Sequence, residues 1–189
     1  MNGTGPLASF PAGHPPAFAG QGGGHWRCRS LAADDLPWLA TLYASTREEE
    51  LRALGWPAEV LAPFLAQQFS AQHQHYLAQY PQACYLAIEV DGRAVGRLYL
   101  DESGDEHRVV DISLLPAWRG QGIGAALLRQ VQAAAAALGH AVALNVLTGN
   151  TGAQRLYARL GFVAAAQAPG DALYLPMRWH AHDPVSGVS

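Results

Sequence analysis

The sequence predicts an α/β (α+β) fold, a sheet flanked by helices, and three observations carry that expectation. Residues 84–90 and 94–100 have β-type composition and are joined by Asp91-Gly92, a pair suited to a two-residue hairpin turn because both types tolerate positive φ. Residues 122–138 are alanine-rich, a composition of high helix propensity, and Gly139 closes them as a C-cap. Half of the 189 residues are apolar and 14% are charged, so the chain can bury a sizeable core as one domain.

The elements follow in order. His25 to Leu31 reads as a short strand. Asp34 or Asp35 then caps a helix in which Leu36, Leu39, Leu42 and Tyr43 recur at helical spacing. Thr46 begins a further helical piece, broken at Gly55-Trp56-Pro57, and Pro57 to about Gln79 forms another helix ending before Pro81. The hairpin comes next, then a strand from Arg108 to Leu115 running into Pro116. The Ala-rich helix, a strand over 141–147, a helix over 150–160 closed by Gly161, and two short strands around Pro169-Gly170-Asp171 complete the chain. The order is β-α-α-β-β-β-α-β-α-β-β, with no internal repeat. Residues 1–24, rich in Pro and Gly, read as a disordered leader, 25–180 as the single domain, and 181–189 as a flexible tail.

Composition excludes several classes. A formal net charge of −3 offers no electrostatic footprint for nucleic acid. The first 24 residues lack Lys, Arg and a continuous apolar run, and no later apolar segment reaches spanning length, so neither a secretory signal nor a membrane partner is expected and the location reads as cytoplasmic. Cys28 and Cys84 lie in strand-like segments without metal-ligand spacing, which suits buried thiols in a reducing compartment. His73 and His75 are two apart on a helix and do not share a face, so no metal site is expected.

The chemistry concentrates in Trp118-Arg119-Gly120-Gln121-Gly122-Ile123-Gly124-Ala125, where glycines precede a helix. Backbone N–H groups at a helix start, with no side chains in the way, bind phosphate oxygens, and Arg119 adds charge. Gly120-x-Gly122-x-x-Ala125 formally fits a dinucleotide fingerprint, but that reading needs an acidic residue about 20 residues further on for a ribose hydroxyl. No Asp or Glu occurs between Asp111 and Asp171, and Asn145 cannot supply the carboxylate. A nicotinamide enzyme is therefore the weaker alternative.

Pro116 through Gly124 instead resembles the acetyl-CoA loop of the GNAT N-acetyltransferase superfamily, with Arg119, Gly122 and Gly124 in the signature places. Asn150, Ala153, Tyr157 and Gly161-Phe162 are similar to the second signature of the same superfamily. The resemblance covers most of residues 25–179. It implies a mixed, mostly antiparallel central sheet of about six to seven strands flanked by helices, and acetyl-CoA as cosubstrate.

The resemblance also implies roles. Leu114 and Leu115 would meet the pantetheine arm and the thioester through main-chain groups. Arg119, Gly120, Gln121, Gly122, Ile123 and Gly124 would hold the pyrophosphate, Asn150 and Ala153 would contact the carrier, and Tyr157 would give a proton to the departing thiolate. Many relatives carry Glu where this chain has Arg108, so the base that relieves the amine of its proton is open among Glu106, His107, Asp111 and a water relay. Asp111 stands out as a carboxylate in the apolar run 109–115, and strand alternation places it opposite Val110, Ile112 and Leu114. A structural ion pair would explain it equally.

The expected activity is acetyl transfer to a primary amine on a small molecule or peptide. Acceptor recognition is assigned to the first helices and the hairpin, through Arg47, Glu48, Glu49, Glu50, Trp56, Tyr76 and Tyr99. The alternative is a catalytically silent acyl-CoA sensor or partner-binding module. Exposed sheet edges in this architecture also allow a homodimer.

Overall fold

The computed structural model describes residues 7–11, 16–22, 24–52, 55–166 and 173–181. Eight strands form one sheet: β1 (Ala19–Gln21), β2 (His25–Ser30), β3 (Cys84–Val90), β4 (Arg93–Asp101), β5 (Glu106–Leu114), β6 (Ala141–Leu147), β7 (Val163–Ala164) and β8 (Tyr174–Trp179). Their order is β1-β2-β3-β4-β5-β6-β8-β7. Neighbours run antiparallel except β5 and β6, which are parallel. The helices are α1 (Leu36–Arg52), α2 (Ala58–Gln79), α3 (Ile123–Ala137) and α4 (Thr151–Arg159). This is the mixed, mostly antiparallel arrangement expected, with the short β1 added at one edge.

Local chemistry explains the boundaries. Asp91 at φ 49° and Gly92 at φ 80° make the left-handed pair that matches the twist of the β3–β4 hairpin. Asn150 caps α4, its side chain accepting from the Ala153 N–H at 3.0 Å. One helix replaces the two expected before Gly55. The Ser45 and Thr46 hydroxyls donate back to the Leu42 and Tyr43 carbonyls, both at 2.7 Å, so neither starts a new helix and α1 continues to Arg52.

Two apolar layers sandwich the sheet. Leu127, Leu128 and Val131 of α3 and Tyr157 of α4 pack with Leu98, Leu100 and Val109 on one face. On the other face, Leu39 and Leu42 of α1 and Phe69 of α2 cover Tyr85, Ala87 and Tyr99. Burying each such leucine or phenylalanine contributes about 1.5–3 kcal/mol. Cys28 lies within the first layer as a free thiol, and burial pushes it up to about 12.

Parts of the leader are described. Phe18 is buried in the α3-side layer, Ala19 exchanges hydrogen bonds with the Gln130 side chain, and Ala19–Gln21 pair with β2. Phe10 packs against Tyr85 and His73, and His73 Nε2 lies 2.8 Å from the Ala8 carbonyl. A few aromatic anchors in a Pro/Gly-rich segment thus find room in the core beside the buried His73. Residues 1–6, 12–15 and 23, and 182–189 of the expected tail, lie outside the described residues.

Strand β5 carries the feature that positions the site. Tyr99 pairs with Asp111 but Leu100 pairs with Val109, so Val110 is an extra residue, a bulge. Val110 therefore packs with the α1/α2 layer, on the side of Asp111 and not opposite it, which corrects the simple alternation. Ile112 and Leu114 pack with the α3/α4 layer, as alternation predicts.

Candidate active site

The bulge coincides with a parting of the sheet. Pairing between β5 and β6 runs from Glu106↔Ala141 to Val109↔Leu144 and stops there, whereas β5 stays paired to β4 as far as Leu114 and β6 stays paired to β8 as far as Leu147. The Leu115 N–H donates to the Val95 carbonyl at 2.9 Å, which fixes the phase of the β4–β5 ladder. By alternation, Ser113 and Asp111 direct their main-chain groups toward β4, and Ile112 and Leu114 direct theirs into the gap. The Leu114 N–H thus faces the gap, whereas the Leu115 N–H is engaged with β4.

The glycine loop sits at the end of the same strand. Arg119 Nε donates to the Leu114 carbonyl at 2.9 Å, tying loop to gap, and Gln121 Nε2 donates to the Ala117 carbonyl at 2.6 Å. Gly120 and Gly122 have φ of 74° and 85°, conformations that favour glycine. A Cβ at either would meet no atom within 4 Å, so the space before the loop is open. Gly122 precedes α3 without a side-chain cap, leaving the first helical N–H groups of Ile123, Gly124 and Ala125 available. Ile123 itself is fully buried and anchors the helix start in the core. Such a nest of open amides at a positive helix end fits pyrophosphate oxygens.

The leader reaches this loop too. A Cβ on Gly22 would lie 3.1 Å from the Gln121 carbonyl oxygen and 3.5 Å from the Ile123 nitrogen. Sequence reading gave no sign of that contact, because nothing in a glycine run names its neighbour.

Tyr157 lies on the α3/α4 side with Ile112 and Leu114, 8% exposed, its ring 5.9 Å from that of Phe162. Burial, with a smaller contribution from the Asp111 charge, pushes its phenol up to about 12. It is fully protonated at neutral pH, as a proton donor must be. Asn150 and Ala153 bond to each other at the start of α4, so the Ala153 N–H is occupied while the Asn150 amide nitrogen has no partner among the described residues.

Asp111 is bound on every side. Arg97 Nε and Nη2 donate to its two carboxylate oxygens at 3.1 and 2.8 Å, the Ser113 hydroxyl donates at 2.7 Å, and the Tyr76 hydroxyl lies 3.4 Å away. Arg97 is 3% exposed, also donates to Gln72 Oε1 at 2.8 Å, and lies over the Tyr99 ring. Burial works against the guanidinium charge, and Asp111 with Tyr99 more than offsets it. This geometry favours the structural ion pair over a free base. Arg97 escaped sequence reading, although an arginine in one apolar strand and an aspartate in the next were a signal available to be matched.

Of the expected acceptor residues, Tyr76 and Tyr99 pack edge-to-face at 5.8 Å beside this pair, and Trp56 lies away on Phe64 at the start of α2. The side chains of Glu48, Glu49 and Glu50 lie outside the described residues. Among the described residues no group of three or more His, Cys, Asp or Glu could hold a metal ion, and no helix is long and apolar enough to cross a membrane.

A mostly antiparallel sheet parted beyond its parallel pair, with an open glycine-rich helix start at the gap, is the fold of the acyl-CoA N-acyltransferases. The acetyltransferase (GNAT) family model matches residues 44–162, and this chain belongs to that family. Uncharacterized N-acetyltransferases of Mycobacterium tuberculosis and Mycobacterium bovis are each 40% identical to it over 109 residues, 55% of this chain and 68% of theirs. In fold it resembles the PaiA N-acetyltransferase of Thermoplasma acidophilum in complex with coenzyme A, with a TM-score of 0.62 at 16% identity over 82% of this chain and 98% of that one. It also resembles RimJ of Mycobacterium smegmatis in complex with CoA-disulfide, with a TM-score of 0.57 at 16% identity over 84% and 83%.

Proposed function

We propose that this protein transfers an acetyl group from acetyl-CoA to a primary amine by direct attack of the amine on the thioester. The observation that carries the reading is the gap between β5 and β6, which opens beside the uncapped start of α3, with Tyr157 in the same apolar layer as Ile112 and Leu114. The amides of residues 120–124 and Arg119 hold the carrier's pyrophosphate. The main-chain groups of Ile112 and the N–H of Leu114, which face the gap, hold the pantetheine arm and the thioester oxygen, where charge develops as the amine attacks. Tyr157 donates its proton toward the leaving sulfur, and the buried Arg97–Asp111 pair keeps the bulged strand in place behind the gap.

Proton removal from the amine falls to solvent or a water relay, since Asp111 is engaged. That same engagement favours a second reading, an acyl-CoA-binding module without turnover. The two separate in one assay: free thiol release from acetyl-CoA with a panel of primary amines, in the wild type and in Tyr157→Phe. Turnover that collapses in the variant supports transfer, and carrier binding without thiol release from any amine supports the module.

A further inference from the structure

We infer that the acceptor carries an anionic group, a carboxylate, which Arg108 and Arg178 bind in a cavity beside the gap; the inference rests on the proposed acetyl transfer and names its substrate class. The cavity, about 320 Å³, is lined by Glu106 and Arg108 of β5, Ala143 and Asn145 of β6, and Pro176 and Arg178 of β8. It lies on the sheet face away from the α3/α4 core. Arg108 immediately precedes Val109, the last β5 residue paired to β6, and Asn145 is the first β6 residue past its last β5 partner. One end of the cavity therefore opens on the gap where the thioester would present its carbon.

The charges select the ligand. Arg108 Nη2 donates to Glu106 Oε1 at 3.0 Å, and Arg178 Nη2 holds Glu106 Oε2. One carboxylate between two guanidiniums leaves a net positive charge. Glu106 is thereby occupied and is a poor seat for an ammonium group, while each guanidinium keeps further N–H donors without a partner among the described residues. The Arg108 and Arg178 side chains are 35% and 48% exposed, so those donors are accessible. A guanidinium fork matches a planar carboxylate in two-point geometry. The volume lies near the lower end for ligand cavities, which suits an acceptor of amino-acid size. Arginine at 108, where the superfamily resemblance leads one to expect glutamate, is then a change of acceptor rather than a loss of function.

The test compares acetylation of amino acids with that of their carboxamides, in the wild type, Arg108→Gln and Arg178→Gln. The readout is the ratio of kcat/KM for the two acceptors. Removing a charge-assisted contact should lower this ratio about tenfold or more in each variant. Damage to folding or to carrier binding would slow both acceptors together and leave the ratio unchanged, which would overturn the inference. Calorimetric binding of N-acetylalanine and N-acetylalaninamide, in the presence of coenzyme A, decides the matter if no amine is turned over. Carboxylate-selective binding lost in both variants would uphold the anion site while the proposed transfer failed. Absence of such binding would overturn the site.

Discussion

Replacing Asp111 with Ala separates a structural carboxylate from a catalytic base. Arg97 is 3% exposed, and Asp111 accepts from both Nε and Nη2, so truncation strands a buried guanidinium. Breaking a buried pair from one side costs about 3–5 kcal/mol. At roughly 2–4 °C per kcal/mol for a chain of this size, Tm falls by about 6–20 °C in a circular-dichroism melt. The double variant Arg97→Met/Asp111→Leu removes both charges and leaves apolar groups of similar volume. It should recover most of the lost stability, and with it acetyl transfer at temperatures where the single variant is folded. An unchanged Tm in Asp111→Ala with transfer abolished, and no rescue in the double variant, would refute the argument and make Asp111 the base.

Four further outcomes are expected. Tyr157→Phe should keep acetyl-CoA affinity, measured by calorimetry, and lose about 100-fold or more in kcat, the size of a general-acid contribution; equal rates would remove the proton-donor role. Gly122→Glu should abolish acetyl-CoA binding by placing negative charge where the phosphates sit, at a folding cost of about 1–2 kcal/mol for a left-handed non-glycine residue; unchanged affinity in a folded variant would exclude the loop. Phe18→Ala should cost about 3–5 kcal/mol in urea unfolding, since Phe18 is 6% exposed in the α3-side core; an unaltered midpoint would show that the leader contributes nothing. His107 is held below the usual histidine range by burial, against the pull of Glu102 and with His140 adding to the lowering. Its unfolded form therefore binds a proton first, so stability is full above about pH 6.5 and falls with pH below it. His107→Phe should flatten that part of the profile, and an unchanged acid limb would assign it to other groups.

The parts legible in the sequence were those set by local chemistry. Asp91-Gly92 turned the hairpin because its dihedrals suit the strand twist, Asn150 capped α4 through its own oxygen, and the glycines before Ile123 left their amides open. Long-range pairings were hidden. Alternation along 109–115 missed the bulge at Val110 because an extra residue shows only against the partner strand. Asp111 read equally as base or ion pair, and the partner that favours the pair, Arg97, lies 14 positions earlier and comes across from β4. The engaged amide of Leu115 and the approach of Gly22 to the loop are likewise matters of register, invisible to composition. In the proposed acceptor cavity, Arg178 is brought to Glu106 by β8 pairing next to β6, a contact across 72 positions that no spacing rule supplies.

The gap beside the glycine loop is proposed to bring a thioester to an amine. The most direct measurement follows thiol release from acetyl-CoA, with mass detection of the acetylated product, across primary amines that include free amino acids. Equal amounts of free coenzyme A and N-acetylated amine are expected, strongly reduced in Tyr157→Phe. Acetyl-CoA bound at the loop with no acetylated product from any amine would contradict it.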